Sequence, residues 1–196
     1  MRESVQISLF FEKDSFYNPT IIASKISERL EYIGSPIILP IDTGAPIDVP
    51  FLIFNQNSKF NIISNFYNVS ITLFDDLIEK LDDVVSVIFD AFCENNIVRI
   101  GYVVSNVLNE DSYEIIKKES GCTDEILKSN DFKIAWLKNI VINGLEINLW
   151  KNYFTDKANT SNVLRILDFN TKMSDTLKIN KKFALEFINS CKDIIN

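Results

Sequence analysis

The sequence predicts an α+β protein in which mixed, mostly antiparallel sheets pack against amphipathic helices. Alternating apolar and polar residues recur in short runs along the chain, a pattern typical of half-buried strands. Longer runs with apolar residues at helical spacing separate some of these strands. Several strands nevertheless follow one another with no helix between them. Consecutive strands without crossover helices favour antiparallel pairing, and the α+β class follows from that.

The first half of the chain predicts the order β-α-β-β-β-α-β. Alternation over residues 5–11 indicates the first strand, and Asn18-Pro19 begins a helix, since Asn caps helices and Pro fits their first position. Gly34 is expected to end that helix. The four remaining prolines fall within residues 36–50, which predicts an extended or turning segment. The next elements are strands at 51–55, 60–64 and 67–73, a helix at 75–94 and a strand at 97–107.

The second half predicts two short helices, three strands and a closing helix. Asn143-Gly144 between alternating apolar runs is a strong hairpin signal, because both residues tolerate the backbone that a tight turn needs. The short helices are expected within 110–130, broken at Gly121, and the strands at 132–142, 145–154 and 162–170. The closing helix is expected at 181–194. We predict two lobes, residues 1–108 and 109–196, that share one interface.

Composition limits the chemistry that the chain can perform. It contains no histidine, which removes the commonest general base and the usual zinc ligand, and we expect no cofactor and no metal. Its net charge of −7 disfavours direct nucleic-acid binding and favours a partner protein with a basic surface. No signal peptide and no apolar run long enough for a membrane span are present, so we expect a cytoplasmic protein with no membrane partner.

Three stretches resemble a sporadically distributed, poorly characterised family of prokaryotic proteins. They are APIDVPFLIFNQNSKFNIISNFYNVSITL, then FDDLIEKLDDVVSVIFDAF leading into IVRIGYVVSN, and ILDFNT before a polar turn and the closing helix. In order and spacing the resemblance covers most of the chain. It implies a two-lobed α+β fold and no assigned activity, and it carries no catalytic residues over to this sequence.

The predicted helix 75–94 carries seven acidic residues and one lysine, a charge of −6 that is nearly the whole net charge of the chain. One interpretation is a solvated helix face, whose first-turn carboxylates also suit the positive end of the helix dipole. The other is an anionic ridge that docks on a basic surface. The candidate partner-binding residues are Asp75, Asp76, Glu79, Asp82, Asp83 and Asp90.

Asp42-Thr43-Gly44 follows an apolar run and resembles the active-site loop of aspartic proteases. In those enzymes two such loops bring two carboxyl groups together to share a proton and activate water. This chain has one copy of the tripeptide, so catalysis would need a homodimer. A plain turn explains the same three residues, because Asp and Thr can bond local backbone and Gly can adopt a positive φ.

The function predicted from these observations is non-catalytic binding of another macromolecule. The specific hypothesis is an accessory or inhibitory factor in phage–host conflict that occludes a basic, nucleic-acid-binding protein through its acidic surface. Two alternatives stay open, a homodimeric aspartic-type hydrolase using Asp42 and a structural component of a larger phage or bacterial assembly. The three cysteines, Cys93, Cys122 and Cys191, are expected to be inert thiols.

Overall fold

Among the residues described by the computed structural model, nine strands form one sheet. The structure describes residues 3–12, 18–40, 46, 48–56, 59–92, 96–108, 113–127, 129, 131–155, 162–172 and 178–195. The strands are β1 (Ser4–Phe11), β2 (Ile37–Ile38), β3 (Leu52–Gln56), β4 (Phe60–Ser64), β5 (Asn68–Phe74), β6 (Ile97–Leu108), β7 (Lys133–Ile142), β8 (Leu145–Thr155) and β9 (Val163–Thr171). The helices are α1 (Pro19–Arg29), α2 (Leu81–Ala91), α3 (Tyr113–Ser120), α4 (Asp124–Leu127) and α5 (Lys181–Ile195). Two 3-10 helices, Glu31–Ile33 and Asp75–Lys80, complete the described elements.

The sheet has the strand order β2-β3-β4-β5-β1-β6-β9-β8-β7. Every pairing among the described strands is antiparallel. The predicted α+β class is therefore confirmed. Two lobes are not confirmed, because β9 of the second half pairs along β6 of the first half, and the sheet continues across the expected boundary at residue 108.

All helices with buried residues pack on one face of this sheet. The first core cluster joins buried residues of α1, α2 and α5 to alternate strand residues such as Ile7, Ile100 and Phe169. The second core cluster joins Ile116 of α3 and Leu127 of α4 to β8 and β9. The strand registers place the residues of both clusters on the same face. No helix contributes buried residues to the opposite face in the described part of the chain, and we call that face the open face.

Local signals set the first helix and the hairpin as predicted. The Asn18 side chain accepts a hydrogen bond from the N–H of Ile21, and Pro19 occupies the first position of α1. The α-helix ends at Arg29, before the expected Gly34, and a 3-10 turn completes the segment. In the β7–β8 hairpin Asn143 and Gly144 have φ of 51° and 81°, the left-handed conformations of a tight turn.

The predicted single α-helix over 75–94 is wrong at its start. Residues 75–80 form a 3-10 helix, and α2 begins only at Leu81. Asp75 has a φ of 46°, which an α-helix does not allow, and its N–H donates to the carbonyl oxygen of Glu3, the residue before β1. The neighbouring residues Leu77 and Ile78 both pack against the first core cluster.

Across the residues that the structure describes, no helix is long and apolar enough to cross a membrane.

Candidate functional site

The six acidic residues named from the sequence divide into two groups in the structure. Asp82 and Asp90 are half-buried on α2, and each bonds a cation from another helix. Asp75, Asp76, Glu79 and Asp83 are exposed. Asp75, Asp76 and Glu79 lie on the 3-10 helix, whereas Asp83 lies on α2 with Asp82 and Asp90, so the six residues do not form one α-helical stripe.

The first group holds the helix layer together. Lys181 of α5 bonds Asp90 at 2.7 Å, and Arg29 of α1 bonds the other carboxylate oxygen of Asp90. Lys192 of α5 bonds Asp82 at 3.0 Å. Hydrogen bonds from Lys181 first, and then from Arg29, lower the pKa of the Asp90 carboxyl below its usual value. These two carboxylates therefore link α2 to α1 and α5.

We call the second group, Asp75, Asp76, Glu79 and Asp83, the outer acidic surface. It lies on nine consecutive residues in which Lys80 is the only cation. No ion pair joins Asp76, Glu79 or Asp83 to a cation among the described residues. The field of Asp83 reaches Tyr32, whose pKa is raised first by burial and then by that carboxylate. Asp76, Glu79 and Asp83 are therefore exposed acidic side chains without an ion pair to any cation in the part of the chain that the structure describes.

Asp42, Thr43 and Gly44 lie outside the residues that the structure describes. The hydrolase interpretation of this tripeptide therefore stays a prediction. Cys93 lies outside the described residues as well, whereas Cys122 is half-buried and Cys191 is fully buried. Burial raises the pKa of the Cys191 thiol, which keeps it in the protonated, unreactive form.

A polar network on the open face was missed by sequence reasoning. Arg99 on β6 donates from Nη2 to Oδ1 of Asn170 on β9 at 3.0 Å, and Nδ2 of Asn170 donates to Asp168. The Arg99 guanidinium also lies over the ring of Phe10, 4.7 Å from its centroid. Gly101 leaves the space that Asn170 occupies, since a Cβ at Gly101 would lie 2.8 Å from Oδ1 of Asn170. A glycine inside a strand run was the available signal, because it often marks such a close approach.

Burial is the largest influence on the carboxyl group of Asp168. Burial raises the pKa of its carboxyl, while the Asn170 hydrogen bond and the charge of Arg99 act in the opposite direction. Asp168 and Asp90 therefore have shifts of opposite sign. A perturbed carboxyl beside an arginine is a feature of many binding sites, although structural networks produce it too.

Because the pKa values of Asp90 and Asp168 are shifted in opposite directions, neutralising these two residues should have opposite effects on stability. Asp90→Asn should lower the free energy of unfolding at pH 7 by about 0.5–1 kcal/mol, because these ion pairs are partly exposed to solvent. Asp168→Asn should raise the free energy of unfolding at pH 7, because it removes a charge that burial disfavours. Urea titrations at pH 7 measure whether the free energy of unfolding of each variant is lower or higher than that of wild type.

The pH dependence provides the second measurement. The stability that Asp90 contributes is present above the ordinary carboxyl pKa of about 4 and is lost as pH falls through its lowered folded pKa. The penalty at Asp168 is present above its raised folded pKa and disappears as pH falls toward about 4. The advantage of Asp168→Asn should shrink over that interval. An Asp168→Asn protein that is less stable than wild type at pH 7 would contradict this assignment.

A cleft of about 360 Å³ lies beside the N-terminus of α5. Phe89, Phe92, Ile97 and Ile179 form its apolar wall, and Asp90, Asn96, Lys178, Asn180 and Lys181 add polar groups. Asn180 caps α5 by accepting a hydrogen bond from the N–H of Phe183 at 2.8 Å. Two of the charged side chains that line the cleft already pair with each other, because Lys181 bonds Asp90. Among the described residues, no group of three or more Cys, Asp or Glu side chains is placed to hold a metal ion.

No family model matches the chain, and no curated protein matches its sequence. The resemblance to a poorly characterised prokaryotic family stays a prediction.

Proposed function

We propose that the chain is a non-catalytic binding protein that docks on a basic partner through the outer acidic surface. The observation that carries the proposal is the set of four exposed carboxylates on residues 75–83, next to two carboxylates already neutralised inside the helix layer. A surface of one sign attracts a partner of the other sign over about one Debye length, roughly 8 Å at physiological salt. The same surface repels nucleic-acid phosphates, which favours a basic protein as the partner.

The division of the six acidic residues refines the docking set. Asp82 and Asp90 serve the fold, so their neutralisation is expected to cost stability and to leave binding nearly intact. The outer acidic surface is expected to show the reverse pattern. Within this proposal the partner is a basic, nucleic-acid-binding protein in the cytoplasm, and the protein inhibits or assists it in phage–host conflict. Occlusion of a nucleic-acid-binding groove by carboxylates that take the place of phosphates would be the mechanism.

The test compares two variants with the same net charge. The first neutralises the outer acidic surface with Asp75→Asn, Asp76→Asn, Glu79→Gln and Asp83→Asn. The matched control neutralises four exposed carboxylates elsewhere with Asp48→Asn, Glu125→Gln, Asp131→Asn and Asp193→Asn. The partner is recovered from the native host with the wild-type chain and purified, and its affinity for each protein is measured at about 50 and 200 mM salt.

We expect the first variant to bind the purified partner at least about tenfold more weakly than wild type and to show a smaller salt dependence. The control should keep the wild-type affinity within about threefold, since none of its four residues belongs to the outer acidic surface. Equal losses in the two variants would show that bulk charge, not this surface, governs binding. Wild-type affinity in the first variant would refute the proposed docking set.

A further inference from the structure

β7 is a long edge strand. It pairs with β8 along all ten of its residues, Lys133–Ile142, with no register shift. No described strand pairs with its other side. Proteins usually protect such an edge with lysines, a proline, a bulge or a covering element, because its free backbone groups can pair with another chain. β7 carries two lysines, Lys133 at its first residue and Lys138 in its second half. β7 contains no proline, and within the described residues it has no bulge.

The hairpin turn fixes which backbone groups face outward. A two-residue loop closes on a hydrogen-bonded pair, here Ile142 and Leu145, so the even-numbered residues of β7 bond β8. The bond from the N–H of Thr155 to the carbonyl oxygen of Phe132, at 3.2 Å, follows the same alternation. The N–H and C=O groups of the odd-numbered residues 133–141 therefore point away from the sheet.

Three large apolar side chains are exposed beside this edge on the open face. Leu137 and Val141 lie on β7 with 45% and 70% of their surface exposed, and Trp150 lies directly opposite Leu137 on β8 with 42% exposed. Leu137, Trp150 and Val141 form an apolar patch that continues up to the edge of the sheet. An exposed apolar patch at a strand edge is characteristic of an interaction site.

Symmetry limits how two copies of this edge could pair. A two-fold axis perpendicular to the sheet keeps both helix layers on one side, so opposite residues must have numbers of the same parity. Two registers pair nine of the ten residues: a centre at Leu137 pairs 133–141, and a centre at Lys138 pairs 134–142. The second places Lys138 opposite its own copy, which like-charge repulsion disfavours.

In the register centred on Leu137 each lysine of β7 faces an apolar residue of the second copy. It places Lys138 opposite Trp136 of the second copy and Lys133 opposite Val141, so no two cations face each other. Ile134 then faces Ile140, and the two Leu137 side chains meet at the axis. The strand carries no carboxylate, so no buried acid is left unpaired in this arrangement.

We propose that the protein forms a symmetric homodimer in which two β7 strands pair antiparallel about Leu137 and the two sheets become one. The ladder extends about 27 Å at about 3.4 Å per residue. An interface of one strand pair and a small apolar patch lies at the low end of the size range for stable complexes. The dimer is therefore concentration-dependent, with a dissociation constant on the order of micromolar.

Sedimentation equilibrium of the whole chain from about 1 to 200 µM tests the dimer. Leu137→Lys and Leu137→Glu each place two like charges at the axis, and each should weaken dimerisation at least about tenfold. An equimolar mixture of the two variants places opposite charges at the axis and should recover the association. Only a register centred on residue 137 predicts this recovery.

Two further variants keep the test independent of folding. Ile37→Lys places the same charge at an exposed isoleucine on the opposite edge strand β2 and should dimerise like wild type. Ala135→Pro removes an outward N–H from β7 without breaking a bond to β8 and should weaken the dimer. A wild-type chain that stays monomeric across the range would overturn the proposal. Dimerisation that survives Leu137→Lys, or a mixture that fails to associate, would overturn it too.

Discussion

Phe187→Ala is expected to lower the free energy of unfolding by about 3–5 kcal/mol, the usual cost of removing a buried aromatic ring. Phe187 has no exposed surface and lies on α5 within the first core cluster. The loss combines the transfer energy of the ring with the cavity that it leaves. Domains of this kind have total stabilities of about 5–15 kcal/mol, so a large fraction is at stake.

Urea denaturation followed by far-UV circular dichroism measures the effect of Phe187→Ala. Asn189→Ala is the matched control, because Asn189 lies on the exposed side of the same helix and its change should stay within about 0.5 kcal/mol. A Phe187→Ala protein within about 1 kcal/mol of wild type would show that α5 does not close the main core.

Gly101→Val is expected to lower the free energy of unfolding by about 2 kcal/mol. The new side chain would meet Asn170, whose amide is held by Arg99 on one side and bonds Asp168 on the other. Moving Asn170 breaks a hydrogen bond to a charged group, at a cost of about 1–3 kcal/mol. Replacing a glycine within a strand stabilises the fold by only about 0.5–1 kcal/mol. The steric conflict is larger, so the net effect of Gly101→Val is destabilising.

A double-mutant cycle separates this conflict from other effects of Gly101→Val. Asn170→Ser shortens the opposing side chain, and in that background the cost of Gly101→Val should fall by at least about 1 kcal/mol. Ser105→Val, at a residue on the same face of the same strand, is the control and should change stability by less than about 0.5 kcal/mol. Additive effects of the two mutations would contradict the assigned contact.

Elements with a strong local signal could be predicted from the sequence. Asn18-Pro19 supplies a cap and a suitable first residue, so the start of α1 needs no information from distant residues. Asn143-Gly144 supplies the two left-handed conformations of the tight turn, which places both strands of the β7–β8 hairpin. The closing helix was also predicted, because its apolar spacing is regular. In each case the physical cause lies within a few residues of the element.

Features that depend on distant residues could not be predicted. Asp82 and Asp90 look identical in sequence to their exposed neighbours, and only α1 and α5 bring Arg29, Lys181 and Lys192 to them. The start of the acidic segment likewise bonds Glu3, a residue far away in the chain. The pairing of β9 with β6 joins the two halves, and no local pattern encodes which strands become neighbours.

The central position of β1 has a consequence for biosynthesis. β1 is sandwiched between β5 and β6, and its buried face is covered by a layer that includes α5, whose residues emerge from the ribosome last among these elements. Native contacts that span so much of the chain form slowly. We expect a nascent chain stopped before residue 181 to expose an apolar sheet face that chaperones recognise. Full protease resistance is expected only after α5 has been translated.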